Sequence, residues 1–266
     1  MLRSVFAKTL RDSRRALLWW SLGLVGLVAM MVSVYPSVHQ NAGLNKLIQD
    51  YPKALKAFIA FGGTVDYTSA AGYLGSEVFS LMVPLLLLIA AIGAGARAVA
   101  GEEEQGTLDL LLANPISRRR LALEKLAALA AELSVLAFVL WAALAIGTGL
   151  AGMHVGLDKL AAATLDATLL ALLYGVLALF VGSAFGRHGP AVAVPVAAAV
   201  AAYLVNALAA VVSALSPAQK ASPFFHYAAG DPLRQGLSPW HTGLLALAVV
   251  TLAILTPLTF ERRDLS

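Results

Sequence analysis

The sequence predicts an all-α integral membrane protein. It would have six transmembrane helices, an amphipathic N-terminal interfacial helix and a short cytoplasmic helix between spans two and three. Of its 266 residues, 59% are hydrophobic and only 13% are charged, whereas a soluble domain of this size is roughly one quarter charged. Apolar runs of roughly 20 residues, the length that crosses a bilayer, recur along the chain. Alanine and leucine dominate these runs without two-residue alternation, which favours helices over a β-barrel.

Six apolar runs define the predicted spans, which together form a single transmembrane domain over residues 1–266. The spans lie at about 16–35, 77–100, 121–150, 160–185, 191–215 and 240–260. The first run is longer than the roughly 7–15 apolar residues of a signal peptide. We therefore interpret it as a retained span.

The distribution of basic residues predicts the orientation of the chain. Thirteen of the 19 Lys and Arg residues fall on the side that carries both termini and the loop between spans two and three. Cytoplasmic loops of membrane proteins carry the excess of Lys and Arg. Both termini are therefore predicted to be cytoplasmic, in the inner membrane of a prokaryote.

Three segments outside the spans have patterns of their own. Residues 1–15 place apolar side chains on one helical face and basic ones on the other, as in a helix lying on an anionic leaflet. The outer loop at 36–76 has helical apolar spacing, with Pro52 dividing it into two short interfacial helices. The last outer loop, at 216–239, is rich in aromatic residues. Aromatic residues at this depth typically form the belt at the membrane interface, and contact with a substrate is the alternative role. The aromatic cluster consists of Phe224, Phe225, His226, Tyr227 and Trp240.

The loop between spans two and three carries the most distinctive motif, "GEEEQGTLDLLLANPISRRR", from Gly101 to Arg120, here called the cassette. Thr107 can cap a helix start, and Asn114 before Pro115 is disfavoured in helical conformation, so a helix of about two turns is predicted between them. Ser117 would cap the following span. The leucines of this short helix need a covering surface, either a partner protein or the chain's own helix ends.

The cassette closely resembles the cytoplasmic loop of permease subunits of ABC transporters of the type-2 family. The matching residues are Glu103, Glu104, Gly106, Thr107, Leu111, Leu112, Pro115, Ile116, Ser117, Arg118 and Lys125. The resemblance implies a coupling helix that docks on a separate ATP-binding subunit, with two permeases and two ATPases in one transporter. Residues implied in coupling are Glu103, Glu104, Gly106, Thr107, Leu108, Leu111, Leu112, Pro115 and Arg118. It further implies an exporter.

No G-x-x-x-x-G-K-[ST] phosphate-binding motif occurs in the chain, so ATP hydrolysis is expected in the partner rather than in this subunit. ATP and Mg²⁺ would be bound there, and no cofactor, metal, catalytic residue or nucleic-acid partner is predicted for this chain. The second permease would be an identical copy or a related one.

Three polar residues fall within the predicted spans: Glu132, Asp166 and Asn206. A carboxylate in the membrane is costly and usually faces a bundle or a cavity. Each is a candidate for the translocation path, and a hydrogen bond between helices is the structural alternative. The G-x-x-x-G sequence from Gly182 to Gly186 indicates close helix packing.

Two other function classes each find some support in the sequence. A secondary transporter or channel without an ATPase would use broken helices, and Pro84 and Pro195 interrupt spans two and five. An intramembrane serine hydrolase could use Ser183 with His241. These two residues lie at opposite ends of their spans, about 30 Å apart, which argues against that reading.

Overall fold

The computed structural model describes residues 4–39, 69–108, 116–209 and 212–263. Most of the outer loop with its two predicted interfacial helices lies outside these ranges, as does the cassette from 109 to 115. The described residues form helices and no strands. Within them, six helices are long and apolar enough to cross a membrane, which confirms the predicted fold class.

The six long helices are close to the predicted spans. They are α1 (Val5–His39), α2 (Ala70–Glu104), α3 (Arg118–Leu150), α4 (Leu157–Phe185), α5 (His188–Ala209) and α9 (Pro239–Arg262). Three short helices lie between α5 and α9: α6 (Ser216–Gln219), α7 (Pro223–Ala229) and α8 (Pro232–Gln235). The last described helical residue of α5 is Ala209, and Ser213–Leu215, at the end of predicted span five, forms a 3₁₀ turn.

The N-terminal segment is continuous with the first span rather than a separate interfacial helix. At about 1.5 Å per residue, the 35 residues of α1 reach about 52 Å, well beyond a hydrocarbon core of about 30 Å. The carboxylate of Glu124 on α3 accepts hydrogen bonds from the backbone amide of Phe6 at 3.0 Å and the hydroxyl of Ser4 at 3.2 Å. The start of α1 is therefore held against the N-terminal end of α3.

Helix α2 changes its winding twice without breaking. Leu74–Met82 and Arg97–Gly101 are π-helical, and Val83–Ala96 between them is α-helical. Pro84 stands at the start of the α-helical part, while Pro195 lies inside the continuous helix α5. Neither proline separates its span into two half-helices, so neither supports the discontinuous spans of a secondary transporter.

Helix α4 is the centre of the bundle, packing against α2, α3, α5 and α9. It crosses α2 backbone to backbone, because a Cβ on Gly95 would overlap the carbonyl of Gly175, and one on Gly175 would lie 3.0 Å from the Cβ of Ala91. Near the inner end, a Cβ on Gly182 would lie 3.3 Å from that of Ala100, which confirms the close packing indicated by the G-x-x-x-G sequence.

Candidate functional site at the junction of α2 and the cassette

Three consecutive acidic residues end helix α2 and open the cassette: Glu102, Glu103 and Glu104. Neighbouring residues on a helix point about 100° apart. The three carboxylates therefore reach different elements, and we call this arrangement the acidic fan.

Glu102 joins α2 to α1 and α3. Its carboxylate lies 2.7 Å from the ammonium of Lys125 on α3 and 3.1 Å from that of Lys8 on α1. The Lys125 side chain is only 2% exposed and also donates a hydrogen bond to the hydroxyl of Thr9 at 3.1 Å. A lysine this deeply buried needs such partners, so the interaction fixes three helices relative to one another.

Glu103 joins α2 to the C-terminal end of α9. Its carboxylate forms an ion pair with Arg263, whose guanidinium also donates to the carbonyl of Ser183 on α4 at 3.2 Å. The carbonyl of Arg263 in turn accepts a hydrogen bond from Arg118 at the start of α3. The inner ends of four helices therefore meet at this residue.

Glu104 holds the start of α5. Its carboxylate accepts a hydrogen bond from the backbone amide of His188 at 2.8 Å, at the helix end where a negative charge is favoured. Within the cassette, Gly106 adopts a positive φ of 67°, and the hydroxyl of Thr107 donates to the carbonyl of Glu102 at 3.0 Å. The chain thus turns sharply away from α2 immediately after the acidic fan.

Leu108 lies inside the protein. It is 2% exposed and packs in a small cluster with Val99, Leu121, Ala122 and Phe260, with Ile116 at the edge. This packing agrees with the alternative that the leucine lies under the chain's own helix ends, and a contact of Leu108 with a partner stays a prediction. Leu111, Leu112 and Pro115 lie outside the described residues. Ser117 caps α3 as predicted, accepting from the amide of Arg120 at 3.3 Å.

The sequence alone did not reveal the partners of the acidic fan. Lys8, Arg263 and the amide of His188 are far from it along the chain, and Glu102 precedes the residues matched to the family motif. The available signal was the coincidence of charges at the predicted inner ends of several spans. That signal shows which residues share a depth but not which of them meet.

A polar cavity of about 520 Å³ opens beside the fan, between α1, α2 and α3. Glu132, 7% exposed, lies in its wall with Arg97 and Lys125. Ser13 on α1 lines the same cavity, and its hydroxyl donates to the carbonyl of Leu10 at 3.3 Å. Of the three candidates for a translocation path, Glu132 is the one that lines this cavity.

The other two candidates lie elsewhere and contact neighbouring elements. Asp166 is 1% exposed and accepts a hydrogen bond from Thr242 on α9 at 2.7 Å. The amide oxygen of Asn206 accepts from Gln219 on α6 at 3.3 Å. The structure therefore does not bring Glu132, Asp166 and Asn206 together into one site.

The outer aromatic residues divide into two groups. Phe224 and Tyr227 are buried, and the hydroxyl of Tyr227 donates to the carbonyl of Phe79 on α2 at 2.6 Å, so the belt assignment is wrong for these two. Burial raises the pKa of Tyr227 well above its ordinary value, which keeps this hydroxyl a neutral donor. Trp240 is exposed, as expected of an interfacial residue.

A serine hydrolase site is not formed by the two residues considered for it. Nδ1 of His241 lies 3.0 Å from Nδ1 of His226, close to the outer helix α7. The carbonyl of Ser183, by contrast, contacts Arg263 at the inner end of the bundle. Ser183 and His241 therefore lie at opposite ends of the protein.

The six long helices, with a short loop braced against the ends of the bundle that lie beside both described chain ends, define a polytopic membrane permease. A family model described as ABC-2 family transporter protein matches residues 3–265, nearly the whole chain. The chain belongs to this family and is a permease component of an ABC transporter. No curated protein is significantly similar to the sequence.

Proposed function

We propose that this chain is the transmembrane subunit of an ATP-driven exporter, and that its 101–120 loop couples it to a separate ATP-binding subunit. The observation that carries the proposal is the acidic fan. The three carboxylates of the fan belong to α2 and bind α1, α3, α5 and the end of α9 directly. They contact α4 indirectly, because Arg263 donates to the carbonyl of Ser183. A force on the cassette would therefore act on all six long helices.

Family membership implies an ATP-binding partner, and the absence of a phosphate-binding motif from this sequence agrees with that division of labour. The partner binds ATP and Mg²⁺. When this partner closes on ATP, it moves the leucine-rich segment of the cassette at residues 110–112, here called the leucine turn. The fan then transmits this displacement to the helices as rigid bodies, alternating access between the two sides.

A second copy of the chain completes the transporter. An apolar groove of about 330 Å³ runs along the outer surface between α2 and α5, with Leu85, Ile89, Val196 and Val200 among its lining residues. Because α2 leads directly into the cassette, a path between two copies at this groove would open and close as the cassette moves. The apolar lining suits an amphiphilic or apolar cargo. The complex would lie in a prokaryotic inner membrane with both termini in the cytoplasm.

The coupling role is tested by substitutions in the leucine turn. Leu111→Asp or Leu112→Asp, co-expressed with the ATP-binding subunit, should leave membrane insertion and thermal stability unchanged and abolish co-purification and coupled ATP hydrolysis. The physical reason is that each leucine buried at an interface contributes roughly 1.5–3 kcal/mol, which a carboxylate would remove.

Leu108→Ala is the matched comparison, because Leu108 packs inside the permease. It should lower the free energy of unfolding by roughly 2–5 kcal/mol, and with it the melting temperature. The folded fraction should still bind the ATPase. A double variant with Asp at 111 and 112 that still co-purifies and transports at the normal rate would refute coupling through this loop.

A further inference from the structure

The cavity between α1, α2 and α3 lies at the level of the inner lipid headgroups. Helix α3 is about 50 Å long, longer than the hydrocarbon core, and Glu132 is roughly 20 Å along it from Arg118. On α1, Trp19 is exposed on the outside of the bundle and Trp20 lines the cavity. Tryptophan is enriched at the membrane interface, so the cavity extends from the cytoplasm to the edge of the membrane core.

The charges around this cavity are balanced. Its lining contains the three cations Lys8, Arg97 and Lys125 and the three anions Asp12, Glu102 and Glu132. A ligand with a large net charge of either sign would gain little from such a wall. A ligand that carries both signs at separate positions is the better match.

Two of these six residues remain available to a ligand. Lys8 and Lys125 are engaged by Glu102, and Lys8 also lies 3.4 Å from Asp12. Arg97 is exposed to the cavity and makes no ion pair or hydrogen bond within the described ranges. Its guanidinium turns back along α2 toward Gly93 and so into the membrane.

Glu132 supplies the complementary charge deeper in the wall, near Arg97, Lys125 and the hydroxyl of Ser13. An arginine at this depth is stabilised by an anion in direct contact, and Glu132 attracts Arg97 through space without forming an ion pair with it. The planar guanidinium of an arginine can donate two parallel hydrogen bonds to the oxygens of a phosphate group.

We propose that this cavity binds a phosphate ester bearing a primary ammonium group, the chemistry of a phosphatidylethanolamine headgroup, with the phosphate on Arg97 and the ammonium on Glu132. The volume of about 520 Å³ accommodates a headgroup rather than single waters. The apolar residues Ala16, Trp20, Ala94 and Ala98 line the same wall and suit the lipid end of the ligand. The site consists of residues of this chain alone, so it can be tested without an ATP-binding subunit and independently of the proposed coupling.

Native mass spectrometry of the purified full-length chain would test the site with phosphatidylethanolamine, phosphatidylcholine and phosphatidylglycerol of identical acyl chains. The wild-type protein should retain phosphatidylethanolamine about tenfold better than the other two, the ratio that one charge-assisted hydrogen bond supplies. Arg97→Gln should lose most of this retention. Glu132→Gln should reverse the preference toward phosphatidylglycerol, since the wall then carries a net positive charge.

This reversal is measured between lipids within one variant, so a loss of stability alone cannot produce it. Arg119→Gln is the matched control, because Arg119 is exposed and does not line the cavity. It should behave as the wild type.

A thermal-shift measurement with soluble O-phosphoethanolamine distinguishes the two sources of this chemistry. Protection by the lipid alone assigns the site to the inner leaflet, and equal protection by the soluble compound assigns it to the cytoplasm. Either result supports the proposal. The proposal is overturned if Arg97→Gln and Glu132→Gln keep the wild-type lipid preference, or if none of these ligands is preferred.

Discussion

At the scale of single residues, the charged side chains of the cassette act chiefly within the permease. Glu102, Glu103 and Glu104 each bind a different part of the chain's own bundle. Each of these carboxylates gains a cation or a helix N-terminus as its partner, which offsets the cost of removing it from water. Family motifs that look like docking charges thus serve here as internal braces.

Exchanging the charges of one ion pair tests this bracing. Glu103→Arg should destabilise the protein by roughly 2–3 kcal/mol, since Arg263 then loses its partner and faces a like charge. Combining it with Arg263→Glu should restore much of the melting temperature and of the coupled ATP hydrolysis. A double variant no more stable than the single ones would show that the ion pair does not brace α2 against α9.

The histidine pair at the outer end predicts a dependence of stability on pH. Burial, together with His241, lowers the pKa of His226 below its ordinary 6.5. The unfolded chain therefore binds the proton more readily, so the stability present above pH 6.5 is lost as the pH falls through the pKa of folded His226. The melting temperature should fall between pH 7 and pH 5, and less so in His226→Gln. Equal slopes in the two proteins would contradict this assignment.

At the scale of elements, the crossing of α2 and α4 depends on glycine. The helices approach so closely at Gly95 and Gly175 that a methyl group at either position meets the opposite backbone. Such contact lets two helices pack without a hydrophobic driving force, which the bilayer does not provide. The crossing also places α2, the helix that leads into the cassette, directly on the central helix.

Gly175→Ala should therefore destabilise the protein by roughly 1–3 kcal/mol through overpacking against Ala91. Gly23→Ala on α1 is the control, because nothing lies within 4 Å of its Cβ position. That change should be neutral or stabilise by about 0.5–1 kcal/mol. Thermal unfolding in one detergent would compare the two, and equal stabilities would indicate that the crossing tolerates a side chain.

At the scale of the whole molecule, the described residues leave two apolar surfaces uncovered, one between α2 and α5 and one between α1 and α3. Lipid can cover both, but the proposed transporter would place a second permease on one of them. The α2–α5 surface adjoins the helix that carries the cassette. The proposed dimer therefore places the two moving helices side by side.

Cross-linking can locate the dimer surface, because the sequence contains no cysteine. Val196→Cys on α5 should form a dimer with itself in native membranes on oxidation, as should Leu85→Cys on α2. Phe138→Cys on the α1–α3 surface, where Phe138 is more exposed than Val196 and Leu85, should remain monomeric. If only Phe138→Cys forms cross-linked dimers, the dimer interface lies on the α1–α3 surface instead.

The sequence by itself determined the number and approximate limits of the spans. These depend on local quantities, namely the length of each apolar run and the residues that can start a helix. Ser117 before α3 is one example, since a cap acts on amides only a few residues away. The cassette was also recognisable from local sequence, and the family match over residues 3–265 agrees with it.

Only the tertiary structure decided which faces are covered and which charges meet. The sequence left open whether Leu108 faces a partner or the chain itself, and only the structure shows that it packs against Phe260 at the end of α9. The sequence placed Tyr227 at the membrane interface, but in the folded chain α7 positions its hydroxyl to donate a hydrogen bond to the carbonyl of Phe79. Arg263 and Glu103 are separated by most of the chain. Hydropathy reports the depth of a residue in the membrane, whereas the rotation and neighbours of each helix follow from packing between segments distant in sequence.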